Sequence, residues 1–206
     1  MSATVNIPAR AFAAAIKCAP KSDVRFYLNG VYLDFPKGRM VATTGHAMFI
    51  GQIESAELPP VIVPRELVES ALRSMTKKAR ESDQTIAVTI KVYPEAEAGT
   101  EITLDTGRGA FTGQAIDGRF PEYERVVPLK LSGELAQFDP AILLDCVDAL
   151  RIYTGAYRNA ANVQHNGNSA ALLTAVNCLC VAMPWRADNN VDTDWYQKPV
   201  KLQAVA

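Results

Sequence analysis

Three times along this chain a short apolar run leads into a helical pattern, which gives way to strand-like runs separated by turn residues. That recurring order constrains the fold more than any single motif, because a strand–helix–strands unit buries only one face and needs a neighbour. The first unit opens with Val5-Asn6-Ile7-Pro8 and a helix expected over about Ala9–Ala19. Strands are expected at Val24–Leu28, Val31–Phe35, Met40–Thr43 and Met48–Ile53, with Asn29-Gly30 and Pro36-Lys37-Gly38 as turns. In the second, Pro60–Val63 precedes a helix started by Pro64, whose apolar face carries Leu67, Val68, Ala71, Leu72, Met75 and Ala79. Thr85–Val92, Glu101–Thr106 and Gly109–Ile116 follow as strands, with Pro94–Gly99 as a loop. The third begins near Gly133–Phe138. Asp139 is placed to N-cap a helix with Pro140 in its first turn and Ala141, Ile142, Cys146, Val147 and Leu150 on its apolar face. Strands near Asn162–His165 and Ala170–Met183 close it, turned at Asn166-Gly167-Asn168. The units share a pattern and not residue identity, and the pattern alone gives an α+β chain with antiparallel sheets.

Composition excludes several classes. At 206 residues with 49% hydrophobic and 21% charged content, the chain is an ordinary globular one, large enough for one big domain or two small ones. It has no apolar run long enough to cross a membrane as a helix, and Met1–Asn6 lacks the features of a signal peptide, so a cytoplasmic protein is expected. Twenty-one basic residues against 22 acidic ones leave a net charge of −1, which argues against tight nucleic-acid binding through overall charge. Cys178 and Cys180 share one face of a strand expected over Ala171–Pro184, with only His165 as a further ligand nearby; buried reduced thiols, no metal and no cofactor are expected. No Gly-x-Ser-x-Gly elbow and no Gly-x-x-x-x-Gly-Lys loop is present, and the two histidines form no metal-helix motif. An enzyme is not expected.

Four segments add specificity. Asp23-Val24-Arg25-Phe26-Tyr27-Leu28-Asn29-Gly30 is followed by Val41-Ala42-Thr43-Thr44-Gly45-His46, then Val61-Ile62-Val63-Pro64-Arg65. Asp117-Gly118-Arg119-Phe120-Pro121-Glu122-Tyr123-Glu124-Arg125-Val126-Val127-Pro128 is the fourth. In order and spacing they resemble the middle domain of the bacterial DNA polymerase III beta subunit, the sliding clamp. Phe138–Leu150 and Val181-Ala182-Met183-Pro184-Trp185-Arg186 resemble the helix and closing strand of that family's third domain. The resemblance implies a DNA-clamp fold with sheets outside and helices lining an inner face. It divides the chain into a complete clamp domain over residues 1–129, a half domain over 130–186 and a tail over 187–206.

The family's pocket for partner peptides lies between these retained parts. Carried over by motif, its wall comprises Leu28, Thr43, Gly45, His46, Met48, Pro121, Arg125, Val126, Val181, Ala182, Met183, Pro184 and Arg186. Apolar side chains there suit a partner's hydrophobic anchors, methionine adapts to several partners, and His46, Arg125 and Arg186 suit the polar parts of an extended peptide. The plainer alternatives are a structural His46 and a Val181–Pro184 that is simply a core strand. Three residues depart from the family: Thr44 stands where Asp is usual, Ala47 where Arg is usual, and Trp185 where a smaller apolar residue is usual.

The resemblance also implies an inner surface facing duplex DNA, for which Arg10, Lys17, Arg73, Lys77, Lys78 and Arg80 are the candidates. A solvated helix with cations near its C-terminal end is the alternative. Asp145 and Asp148 lie opposite the third helix's apolar face and would repel phosphate. The implied partners are double-stranded DNA held weakly by topology, a DNA polymerase or other replication or repair protein, and a clamp loader. The family's ring has twelve half-domain units, so three per chain points to a homo-oligomer of four copies, with three or two as alternatives. A different reading is an adaptor or decoy that keeps the pocket and never encircles DNA.

Overall fold

The computed structural model describes residues 2–93, 99–156 and 162–185. The first unit contains β1 (Ser2–Pro8), α1 (Ala9–Ala15), β2 (Gly30–Asp34), β3 (Arg39–Thr43) and β4 (Ala47–Gln52). The second contains β5 (Val61–Pro64), α2 (Arg65–Ser74), the one-turn α3 (Lys77–Arg80), β6 (Thr85–Val92), β7 (Thr100–Asp105) and β8 (Ala110–Gln114). The third contains α4 (Pro140–Thr154), β9 (Asn162–Gln164), β10 (Ala171–Ala175) and β11 (Cys178–Ala182). Among the described residues no helix is long and apolar enough to cross a membrane.

The first two units exchange their leading strands. β1 pairs antiparallel with β6, and β5 pairs antiparallel with β2, so each unit lends a strand to the other's sheet. The result is a four-stranded sheet in the order β1-β6-β7-β8 and a seven-stranded sheet in the order β5-β2-β3-β4-β11-β10-β9. The third unit joins the first through β4 and β11, edge to edge, with Met48 opposite Val181 and Ala47 opposite Ala182.

One side of both sheets faces the helices, and its alternating residues form the main core: Ile7, Ile86, Val88, Ile90, Ile102 and Leu104 from the smaller sheet, Leu33, Met40, Phe49, Leu173 and Cys180 from the larger. The outer faces differ. On the smaller sheet Thr4, Thr89, Thr103 and Thr112 lie in one row across four strands, with hydroxyl pairs at 2.8 and 2.9 Å. On the larger sheet the outer face is apolar and carries a second cluster.

Several sequence expectations are corrected. Val24–Leu28 is not a strand: Phe26–Leu28 is a 3-10 turn, and Val24 is 99% exposed. Asn29-Gly30 is not a hairpin turn. Asn29 bonds both backbone groups of Asp23 through its side chain (2.8 and 2.9 Å), closing a loop, and Gly30 starts β2. A Cβ on Gly30 would sit 2.5 Å from the Val63 carbonyl, so close pairing with β5 requires glycine there. The first helix ends at Ala15 and not Ala19. The second breaks at extended Met75, and Thr76 caps α3 by accepting from the Ala79 N–H. Residues 133–138 carry no strand, and Ala171–Pro184 is a hairpin turned at Val176-Asn177, where Asn177 takes φ 59°. Part of the Pro94–Gly99 loop, Arg186 and the tail lie outside the described residues.

Arg65, which begins α2, donates to the carbonyls of Ile16 and Ala19 just past α1 and pairs with Glu69 at 2.8 Å. It satisfies orphan carbonyls at that helix end while its own charge is matched. Arg65→Ala is expected to cost about 2 kcal/mol in a urea titration, because it strips a charged donor from half-buried carbonyls. A loss below about 0.5 kcal/mol would mean that water replaces the guanidinium freely.

Candidate functional site

Strand alternation builds the apolar outer face of the larger sheet. One row runs Thr43–Met48–Val181–Leu172 across β3, β4, β11 and β10, and the next runs Tyr32–Val41–Ile50–Leu179. Leu28, Phe120 and Tyr123 pack onto these rows, and Leu28, Met48 and Val181 are buried. The structure therefore unites Leu28, Thr43, Met48 and Val181 from distant parts of the chain. Ala182 differs: its side chain turns toward the helices and joins the main core, so it contributes backbone only.

The rim is formed by loops. Thr43 Oγ1 accepts from the Gly45 N–H at 2.9 Å, and Thr44 Oγ1 accepts from the N–H groups of His46 (3.2 Å) and Ala47 (3.1 Å). Thr44 thus does the work a carboxylate at that position could do, which accounts for one departure from the family. Gly45 has φ +90°, and a Cβ there would lie 3.0 Å from the Arg25 guanidinium. Arg25 is itself held by Asp23 (2.7 Å) and donates to the Thr44 carbonyl. That bidentate pair keeps the Asp23 carboxyl at about 2. The Met183 N–H donates to the His46 carbonyl at 2.8 Å, tying the third unit to this rim. Gly45 and His46 are exposed, and Met183 and Pro184 are half-buried.

The 117–127 segment forms the opposite wall. Phe120 stacks on Tyr32 at 4.5 Å, the Tyr123 hydroxyl donates to buried Asp34 at 2.8 Å, and Lys37 and Arg39 each reach Glu124 at 2.6 Å. Burial, with Asp34 beside it, raises the Tyr123 hydroxyl well above its ordinary value and keeps it a donor. A cavity of ≈ 970 Å³ beside this wall is lined by Tyr32, Asp34, Phe120, Pro121 and Arg125 among others. Of the sequence-derived set it touches Pro121 and Arg125 only; Leu28, Met48 and Val181 belong to the neighbouring cluster. Arg125 is paired with Glu122 at 2.6 Å. Val126, Phe26 and Trp185 are 45, 55 and 57% exposed. Sequence reasoning missed Arg25, Phe26, Tyr32 and Leu172. The first is signalled only by the Asp-x-Arg spacing, the last by alternation in β10.

On the helix side, Lys17, Arg73, Lys77 and Arg80 line one cleft of ≈ 430 Å³ together with Glu69 and Glu81. Lys78 lies on α3 beside it, while Arg10 pairs with Asp83 at 2.8 Å. Lys17 pairs with Asp148 at 3.1 Å, and Arg73 lies 3.6 Å from Glu69. Asp148 is thus engaged at the α1–α4 seam and does not front a free acidic face, a correction to its expected role. The charge of this surface is mixed.

The thiols group differently from expectation. Cys18, Cys146 and Cys180 have their sulfurs within 4.8 Å of one another at the seam between the first and third units, all buried. His165 is elsewhere, its Nδ1 accepting from the Ala136 N–H at 3.3 Å. Burial pushes the Cys180 thiol up and the Cys178 thiol up to about 12, so both pack as small neutral side chains.

No family model matches the chain. A beta sliding clamp of Pseudomonas aeruginosa is 36% identical over 114 residues, 52% of this chain and 28% of that protein. A solved sliding clamp from Pseudomonas aeruginosa superposes with a TM-score of 0.65 at 23% identity, covering 89% of this chain and 66% of the other. The Helicobacter pylori beta clamp bound to a DNA ligase peptide gives 0.66 at 14% identity, covering 90% and 65%. The chain spans less than two thirds of each. Its fold is the sliding-clamp fold, and about half of its sequence is homologous to beta sliding clamps.

Proposed function

We propose that this clamp-fold chain is a processivity factor: a homo-oligomeric ring around duplex DNA that tethers a polymerase or another replication or repair protein through its outer apolar site. The carrying observation is the two-sidedness of the larger sheet. Its outer face presents the Met48–Val181 row with an exposed apolar rim, while the helices on its other side gather Lys17, Arg73, Lys77 and Arg80 in one cleft. The role is binding and not catalysis, and it uses no cofactor. The β4–β11 pairing supports ring building, because clamp units already join edge to edge within this chain. The DNA ligase peptide on the Helicobacter pylori clamp supports an extended peptide as the ligand of the outer site.

Ion pairs engage Arg10, Lys17 and Arg73, and Glu69 and Glu81 share the cleft with the cations, so DNA contact is weak and topology supplies the retention. On a nicked circular plasmid the protein is expected to stay bound through gel filtration once loaded, and to leave after the plasmid is cut. Salt raised from about 50 to about 200 mM abolishes contact with linear duplex while circular retention persists. Release from both DNA forms, with intact binding of a ligase peptide, favours the adaptor or decoy reading. The pairs Lys17–Asp148 and Arg10–Asp83 speak for that second reading.

A further inference from the structure

The third unit is half of something whose other half is visible elsewhere in the same molecule. In the complete pair of units, the leading strand of each lies against the first strand after the partner's helix: β1 on β6 with Pro8 opposite Thr85, β5 on β2 with Pro64 opposite Gly30. The third unit has both parts, and among the described residues neither has a partner strand. β9 is the terminal strand of the seven-stranded sheet, and among the described residues no strand lies against its outer edge.

Its leading segment is already held in the exchange geometry. In the second unit the Ile116 N–H, just past the last strand, donates to the carbonyl of Ile62, two residues before the N-cap Pro64. In the third, the Trp185 N–H, just past β11, donates at 2.7 Å to the carbonyl of Gln137, two residues before the N-cap Asp139. One edge of the segment is therefore fixed as in β5; just before it the Ala136 N–H meets His165 Nδ1 of the same chain, and among the described residues no strand lies on the edge that β5 gives to β2.

The helix repeats the message. Counted from the N-caps Pro8, Pro64 and Asp139, Leu144 and Val147 of α4 correspond to Ala13 and Ile16 after Pro8, and to Glu69 and Leu72 of α2. Those four line the cleft between α1 and α2. Leu144 is 60% exposed, and α4 carries apolar residues on nearly every side, unlike the one-sided α2.

We infer that the third units of two copies complete one clamp domain between them, each lending residues 137–139 to β9 of the other across a two-fold axis. The occupant is a second copy because the exchange is reciprocal: each half both gives a strand and lacks one, which only an identical half satisfies twice over. The register follows from the two pairings seen, placing Asp139 opposite Asn162, Phe138 opposite Val163 and Gln137 opposite Gln164 of the other chain. This deepens the ring reading, on which it rests for the count of chains: two such pairs, joined through their remaining β8 edges, supply the full set of half-domains.

The test mixes two full-length variants, Gln137→Cys and an affinity-tagged Gln164→Cys, under mild oxidation; the four native thiols are buried and give little background. The expected result is a disulfide-linked pair containing one chain of each kind, alongside a native mass at least twice the 22.4 kDa chain. Leu144→Arg, at an exposed position, is expected to lower the paired fraction at least tenfold at micromolar concentration with an unchanged circular dichroism spectrum. A single-chain native mass overturns both this pairing and the ring. Oligomers that show no 137–164 cross-link and ignore Leu144→Arg overturn the pairing alone. Pairs that cross-link and stop at two chains keep the pairing and overturn the ring.

Discussion

Replacing Met183 with aspartate is expected to weaken binding of a fluorescein-labelled DNA ligase peptide by about thirtyfold or more, close to 2 kcal/mol, with the fold intact. Alternation puts Met183 on the same side of the strand end as buried Val181, beside exposed Trp185. The Met183 N–H bonds the His46 carbonyl, so its backbone position is set from the rim loop. A flexible thioether here can fit differing hydrophobic anchors; a carboxylate would have to be desolvated beneath the peptide. Being half-buried, the side chain can be replaced without opening the core, and the thermal midpoint should move by no more than about 4 °C. Fluorescence polarisation decides it: an affinity within twofold of wild type would remove the outer site from the peptide's path. The substitution Thr43→Ala, in the Met48–Val181 row, tests the rim loop separately, since Thr43 Oγ1 holds the Gly45 N–H.

The alternating strands were legible because burial on one face imposes period two, and Thr85–Val92 matches its expected bounds residue for residue. Val24–Leu28 misled for an equally physical reason. Its Val, Phe, Tyr and Leu favour strands, yet the Asn29 side chain brackets Asp23 and the Asp23 carboxylate takes the Arg25 N–H, and those local bonds outcompete a ladder. The motif residues Asp23, Arg25 and Asn29 therefore serve to shape the rim, which no hydropathy pattern discloses. Ala182 was placed in the pocket wall by motif, but period two sends it to the opposite face from Val181, and that much the sequence could have said. The edge pairing of β4 with β11 was not legible, because nothing in either strand specifies an antiparallel partner far away in sequence. The thiol trio was hidden for the same reason: Cys18, Cys146 and Cys180 meet only once that pairing exists.

That joint is the place to strike for the largest loss of stability. Phe49 in β4 is fully buried and meets the Tyr153 ring of α4 at 5.6 Å. A Cβ on Gly51 would lie 2.8 Å from both rings, so glycine there lets Tyr153 lie close over β4, where its hydroxyl donates to the Gln52 carbonyl at 2.5 Å. Phe49→Ala removes the ring around which the first and third units pack and leaves a void that the flanking sheet cannot close. The expected cost is about 3–5 kcal/mol in urea unfolding, a large share of the 5–15 kcal/mol typical of a domain. Leu129→Ala, at a position 97% exposed, is the matched control and should stay within about 0.5 kcal/mol. The chain has two tryptophans, so Trp185 fluorescence, read in a Trp195→Phe background, adds a local reading from the third unit. If Phe49→Ala lets Trp185 report unfolding before circular dichroism does, the joint is what holds the half domain to the complete one. A cost under about 1 kcal/mol, with coincident transitions, would mean that β4 and β11 stay together without this packing.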